Sequence, residues 1–165
     1  MAIPGYMYLT DNAGKKIQGS VTIKGREGSV EVISYDHEIF VPTDGNTGKL
    51  TGKRVHQPFI FLKEKDRSST ELQKAMSSGK TLQEVTLQEY AVNSAGQEEI
   101  YHTIVMTNVK IVRVKAEMKN IKDPSFEKFN HLETVELRYE AIKWTFVDGH
   151  HEYEDTWNER GDKAA

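Results

Sequence analysis

The residues with the most chemical potential fall in a few places. From Pro42 to Pro58 the chain reads Pro-Thr-Asp-Gly-Asn-Thr-Gly-Lys-Leu-Thr-Gly-Lys-Arg-Val-His-Gln-Pro, with three glycines and four charges. Glycine followed by lysine invites comparison with a loop whose backbone N–H groups cradle phosphate. The spacing rejects it. Gly52-Lys53 would need glycine at 47 and Ser or Thr at 54, where Thr47 and Arg54 stand, and Gly48-Lys49 fails in the same way at Thr43 and Leu50. His150, His151, Glu152 and Asp155 together could ligate a cation. Adjacent strand residues point to opposite faces, however, and Gly149 makes a solvated turn the simpler reading. His37 and His102 share parity with apolar residues and read as hydrogen-bonded core or interface histidines. Neither Gly-x-Ser-x-Gly nor His-Glu-x-x-His occurs. Tyr6, Tyr8, Trp144 and Trp157 would suit a carbohydrate groove, but ordinary core and interface use is simpler. Nothing positive points to catalysis, a metal or a cofactor.

The elements that must position these residues are mostly strands. Ile33, Tyr35, His37, Ile39 and Val41 alternate with Ser34, Asp36, Glu38 and Phe40, as in a half-buried strand. Val55 to Leu62 predicts a second, with Phe59 and Phe61 on one face. Val85, Leu87 and Glu89 against Thr86, Gln88 and Tyr90 predict a third. Ile100, His102, Ile104 and Met106 against Tyr101, Thr103 and Val105 predict a fourth. Val112, Val114, Ala116 and Met118 against Ile111, Arg113, Lys115 and Glu117 predict a fifth. In Val135 to Phe146 the phase switches, and an extra residue near Ala141–Ile142 would restore one buried face, as a bulge at a barrel corner does. Burial on both faces is the competing explanation. Ser68-Ser-Thr-Glu71 fits a capping box, Leu72, Ala75 and Met76 follow at helical spacing, and Gly79 sits where a left-handed cap belongs. Asp11 to Gly14 and Asn93 to Gly96 read as hairpin turns. The expectation is a mainly β chain with one packed helix and one long loop, its prolines fixing where the loop leaves and rejoins a rigid sheet.

At 165 residues, 37% hydrophobic and 28% charged, the chain suits a single soluble domain over 1–158, with 159–165 as a frayed tail. The absence of cysteine excludes disulfides, thiolate metal sites and cysteine nucleophiles. A net charge of −3 with interspersed signs gives no basic field for nucleic acid. No apolar run reaches membrane-spanning length, and the N-terminus lacks the basic and apolar regions of a secretory signal. Synthesis in the cytoplasm, with no membrane insertion, is expected.

Several strings are long and unusual: Val41-Pro-Thr-Asp44, Thr47-Gly-Lys-Leu-Thr-Gly52, Arg54-Val-His56 with Pro58-Phe59, Ile121-Lys-Asp-Pro-Ser-Phe-Glu-Lys128, Asn130-His-Leu-Glu133, and Glu136-Leu-Arg-Tyr-Glu140 with Trp144. Through them, and from Met-Ala-Ile-Pro at the start to Trp157-Asn-Glu-Arg160, the chain resembles the hemolysin-coregulated protein (Hcp) family, the tube protein of type VI secretion. The resemblance implies a compact β-barrel of two antiparallel sheets with one flanking α-helix and a long extended loop, and no enzyme activity. It further implies homohexameric rings that stack into a tube, a spike at its tip, a contractile sheath around it and small effectors in its channel. Export would run through the machine itself. The loop then becomes a contact arm, with Thr43, Asp44, Asn46, Thr47, Lys49, Leu50, Thr51, Lys53 and Arg54 as candidate contacts. Lys49, Lys53 and Arg54 are expected to meet acidic residues of a neighbouring copy, and Leu50 to be an apolar anchor. Asp123, Ser125, Phe126, Glu127, Lys128 and His131 form a second candidate contact, because Asp123-Pro124 breaks strand pairing. The alternative is a monomeric barrel binding a small ligand or carbohydrate, with the loop as a lid.

Overall fold

Two short polar turns set the register of the body. Asp11 Oδ1 accepts from the Ala13 and Lys15 amides, Asn93 Oδ1 accepts from those of Ala95 and Gln97, and Gly14 and Gly96 take the left-handed φ of +80° and +78° that each turn requires. The computed structural model describes residues 3–157; the expected tail, 159–165, lies outside them. The strands are β1 (Gly5–Thr10), β2 (Lys16–Ile17), β3 (Val30–Val32), β4 (Ser34–Asp36), β5 (Ile39–Phe40), β6 (Val55–His56), β7 (Phe59–Glu64), β8 (Leu82–Val92), β9 (Glu98–Glu117), β10 (Leu132–Arg138), β11 (Ala141–Phe146) and β12 (His151–Thr156). One helix, α1 (Ser68–Ser77), and a 3₁₀ turn at Pro124–Phe126 complete the described elements.

Every ladder is antiparallel, so the mainly β reading holds. One sheet face runs β2-β1-β8-β9 with β11 and β12 beyond β9; the other runs β9-β10-β7-β4. β3 pairs with β1 and β4 with β7, and only Ile33 separates them, its N–H donating to Leu62 O at 2.9 Å. Following the ladders therefore leads back to β1 around one apolar interior. Met7, Leu9, Phe59, Phe61, Val85, Leu87, Met106, Val135, Leu137 and Ile142 fill it at 0–1% exposure. Burial of each such large side chain is worth about 1.5–3 kcal/mol.

The expected fourth and fifth strands are a single strand, β9, which belongs to both sheets. It turns the corner at Asn108, whose φ of +49° shifts the buried parity from Ile104 and Met106 to Val109 and Ile111. The corner after Val135 is also real, but it is a break rather than a bulge at 141–142. β10 ends in one sheet, β11 begins in the other, and Glu140 N–H crosses to Thr107 O at 3.0 Å.

Other expectations need correction. Ile33–Val41 is not one half-buried strand. It is broken at Ile33 and after Asp36, and Ile33, Tyr35, Ile39 and Val41 are 37–41% exposed because the described residues cover them only in part. Ser68 is not the helix cap. It is buried, and Asp66 Oδ1 accepts from its N–H (2.9 Å) and hydroxyl (2.5 Å), while Ser69 Oγ accepts from Asp66 N–H (3.0 Å). The reciprocal cap thus lies two residues earlier. Leu72 and Ala75 face the core, but Met76 is 40% exposed. Gly79 fulfils its role: at φ +67° it lets Lys80 N–H reach back to Ala75 O at 3.0 Å.

Candidate functional site: an arm and its anchor

The Pro42–Pro58 segment is an ordered hairpin, which the polar sequence did not predict. β5 and β6 pair as a separate two-stranded sheet, Ile39 opposite His56 and Phe40 opposite Val55. Beyond them Thr51 N–H donates to Pro42 O, Thr43 bridges Leu50, and Asp44 N–H donates to Lys49 O. Asp44 organises the tip. Its carboxylate accepts from the Asn46 amide (2.7 Å) and the Thr47 amide (3.2 Å), which together hold it below the usual carboxylate range. Gly48, at φ +68°, closes the turn onto Asp44 O. Leu50 is 70% exposed, and Lys49, Thr51 and Lys53 are exposed along the returning side.

Arg54 departs from its sequence-based role, because its carboxylate partner lies in the same chain. Nε and Nη2 donate to Asp155 Oδ2 (2.6 Å) and Oδ1 (2.5 Å) on β12, and Nη2 also reaches Thr156 O at 3.1 Å. A planar guanidinium matched to a carboxylate in this way fixes both position and orientation. His56 extends the network: Nε2 lies 2.8 Å from Asp155 Oδ2 and Nδ1 lies 2.5 Å from Tyr139 Oη, which in turn lies 2.7 Å from His37 Nε2. An ionised carboxylate only accepts, so His56 donates its Nε2–H to Asp155 Oδ2, and the Tyr139 hydroxyl joins the two imidazoles.

The electrostatics follow from those contacts. The Arg54 hydrogen bonds hold the Asp155 carboxyl below its ordinary value against a smaller opposing effect of burial. Burial, reinforced by nearby Asp155, pushes the Tyr139 phenol up. Burial and then the neighbouring His56 push His37 down. Phe59, Trp144 and Trp157 pack around the two imidazoles at 5.5–6.3 Å. With His56 only 2% exposed, this Arg–Asp–His–Tyr–His chain is buried at its centre and reaches solvent at Arg54. Its chemistry is anchoring: it clamps the base of the arm to β12 and to the end of β10.

The second candidate segment is built differently. Asp123 Oδ1 accepts from the Ser125 amide (2.9 Å) and hydroxyl (2.7 Å), capping the 3₁₀ turn, while Phe126 packs on Phe129 and under the Lys119 ammonium. Glu127 and Lys128 are exposed, and His131 O accepts from Lys65 N–H. The arm joins β7 at its start and this segment lies beside its end, about 20 Å apart at roughly 3.3 Å per residue. The structure does not bring the two candidate contacts together. His150 and His151 fall at the β11–β12 turn, and no cluster of three or more potential metal ligands occurs among the described residues. His102 Nδ1 bonds Glu89 Oε2 at 2.6 Å.

Sequence reasoning missed a second buried cluster. Lys63 Nζ, at 0% exposure, contacts Glu133 Oε2 (3.0 Å), Asp66 Oδ1 (3.1 Å), Ser69 Oγ (3.1 Å) and Glu64 O (2.9 Å), tying the start of α1 to β7 and β10. A signal existed: Lys63 continues the parity of Phe59 and Phe61, and Glu133 that of Val135 and Leu137.

Known proteins share this architecture. Residues 6–146 match the family described as "Type VI secretion system effector, Hcp". The Major exported protein of Pseudomonas aeruginosa is 38% identical over 154 residues, covering 88% of this chain and 90% of its own. A doubly substituted Hcp1 from an E. coli EAEC 042 pathovar superposes with a TM-score of 0.86 at 47% identity, covering 94% of this chain and 99% of that one. Hcp3 of P. aeruginosa gives a TM-score of 0.77 at 29% identity, over 96% and 100% of the two chains. With the fold, the arm and the match along most of its length in agreement, the chain belongs to the Hcp family, the self-assembling tube proteins of type VI secretion.

Proposed function

We propose that this chain is the repeating subunit of hexameric rings that stack into the secreted tube, and that Thr43–Lys53 reaches onto a neighbouring copy or the next ring. One observation carries the reading: an ordered ribbon, standing on its own two-stranded sheet and fixed by a buried ionic anchor, exposes Leu50 and two lysines with no carboxylate within ion-pair distance among the described residues. A ring built from one repeated contact needs two different complementary surfaces on each subunit. The arm supplies one, and the partly exposed Tyr35, Ile39 and Val41 beside its base are suited to the other.

The body is a single domain over 1–158. Made in the cytoplasm and exported through the secretion machine itself, the assembled tube carries a spike protein at its tip, slides within a contractile sheath and holds small effectors in its channel. The Asp123–His131 segment is a second contact. The role is structural, and the Lys49 and Lys53 ammonium groups steer and set register more than they supply affinity. A ligand-binding barrel has no support, since the interior is filled by side chains and the arm tip is exposed. Deleting Asp44–Thr51 tests the reading by multi-angle light scattering and electron microscopy. Loss of rings or of stacked rings is expected, and assembly identical to the full chain rejects the arm assignment.

A further inference from the structure

The feet of both legs of the arm meet at a single hydroxyl. His37 lies in the break between β4 and β5, at the foot of the outgoing leg, and His56 ends β6, at the foot of the returning one. Their rings converge on Tyr139 Oη, His37 Nε2 at 2.7 Å and His56 Nδ1 at 2.5 Å. Tyr139 is 5% exposed, and among the described residues its hydroxyl has no third hydrogen-bond partner. The returning leg has further ties, from His56 Nε2 and the Arg54 guanidinium to Asp155. For the His37 ring, Tyr139 is the sole hydrogen-bond partner among the described residues.

A phenol carries one hydrogen, so the states of this bridge can be counted. With both imidazoles neutral and His56 Nε2–H given to Asp155, Tyr139 donates to His56 Nδ1 and accepts from His37 Nε2–H. One added proton still leaves every hydrogen a place. A charged His56 donates to Tyr139, which donates on to neutral His37, or a charged His37 donates while His56 accepts. A second proton has no place. Two N–H groups would point at one oxygen, the phenolic hydrogen would lose its acceptor, and two cations would share a buried site. Shedding the phenolic proton would relieve this, but burial and then nearby Asp155 push Tyr139 up. The surrounding charges do not remove the conflict. Asp36, next to His37, favours its charged form less than burial and then His56 oppose it. Arg54 and Arg138, whose Nη1 donates to His56 O at 2.8 Å, add positive charge beside His56, against the one carboxylate of Asp155. Phe59 and Trp144 pack on His37 without charge.

We infer that Tyr139 is a proton-counting latch: it docks the outgoing leg while the histidine pair holds at most one proton, and releases His37 in mild acid when the pair takes a second. The sign follows from the His37 environment. Its docked pKa is lowered, so docking is at full strength above the released value near 6.5 and weakens as pH falls from there toward the docked value. The returning leg stays clamped, because the Arg54 hydrogen bonds hold the Asp155 carboxyl below its ordinary value and it remains ionised in mild acid. Acid thus frees one leg and leaves the arm tethered by the other, as histidine switches at interfaces do. A consequent loosening of assemblies rests on the tube reading above, whereas the latch belongs to the single chain.

Amide exchange on the dilute full chain at about pH 7.5 and about pH 5.5, corrected for intrinsic rates, reads the latch directly. Residues 37–42 should exchange about tenfold faster in acid, with residues 54–58 and β10 little changed. His37→Gln can still donate to Tyr139 but cannot take a proton, so it should abolish the step. Tyr139→Phe should leave residues 37–42 loose at both values. NMR of the ring nitrogens adds a readout that packing alone does not move: the histidine pair should take up its two protons in separate steps, the second tracking the amide change. Equal protection at the two values in wild type, or a step that survives in His37→Gln, overturns the latch. Light scattering on concentrated samples separates the two readings. Acid loosening of residues 37–42 in a chain that is monomeric throughout defeats the tube reading and leaves the latch standing, whereas rings whose arm is indifferent to acid defeat the latch alone.

Discussion

Two ionic clusters lie in the same β body, and each holds an appendage. Lys63 with Glu133 and Asp66 holds the helix, and Arg54 with Asp155 and His56 holds the arm. The first is centred on a dry pair, Lys63 at 0% and Glu133 at 1% exposure, with only Asp66, at 11%, reaching its edge. The second is graded from an Arg54 side chain at 25%, through Asp155 at 9%, to His56 at 3%. Burial decides how each behaves. A sealed charge has no water to fall back on when its partner is lost, so the helix is fastened permanently. A network open at one end loses less and responds to salt and acid. On this contrast, loosening the arm should leave the rest of the body folded.

The largest test of that contrast is Lys63→Met. It strands Glu133 and Asp66 near the core, and urea or thermal unfolding should show a loss of about 3–5 kcal/mol, with K63M/E133L regaining much of it. A loss comparable with that of an arm-base mutation would erase the distinction. Asp155→Asn should cost less, about 1.5–3 kcal/mol, as expected for hydrogen bonds to a charged group. Hydrogen exchange should then quicken over residues 39–56 while β7 and β10 stay protected, and uniform loosening would contradict separability.

Acid sharpens the contrast further. Asp155 has a depressed folded pKa, so its stabilisation is present above the unfolded value near 3.9 and is lost as pH falls through the folded value; Asp155→Asn should flatten the stability curve there. His37 is a base with a lowered folded pKa. The unfolded chain therefore binds its proton first, and stability falls as pH drops from about 6.5 toward the folded value. Urea midpoints across that interval should lose this slope in His37→Gln. The smallest effect belongs to the arm tip, where Lys49→Gln and Lys53→Gln should leave unfolding of the isolated chain within about 0.5 kcal/mol.

Local chemistry made part of this structure legible. Asp11 and Asn93 announced their hairpins because an Asx side chain and a glycine three residues later suffice to build the turn, and Phe59 with Phe61 announced a buried face by parity. Gly79 was equally plain. What stayed hidden depends on distance along the chain. Arg54 reads as a free surface cation until Asp155, 101 residues away, arrives beside it. The arm looked structureless because its order comes from backbone hydrogen bonds and one aspartate rather than from apolar periodicity. In Ile33–Val41 the alternation is genuine, but the described residues cover that face only in part, and parity cannot say how much of a face will be covered.

β9 carries a mechanical consequence. One strand of 20 residues bonds to β8 and β11 along its first part and to β10 along the rest. Antiparallel bonds lie across the strand direction, so a pull along β9 loads many of them together in shear instead of unzipping them singly. A particle made of such bodies, with β9 set along its axis, would resist being driven lengthwise far better than being peeled apart from the side.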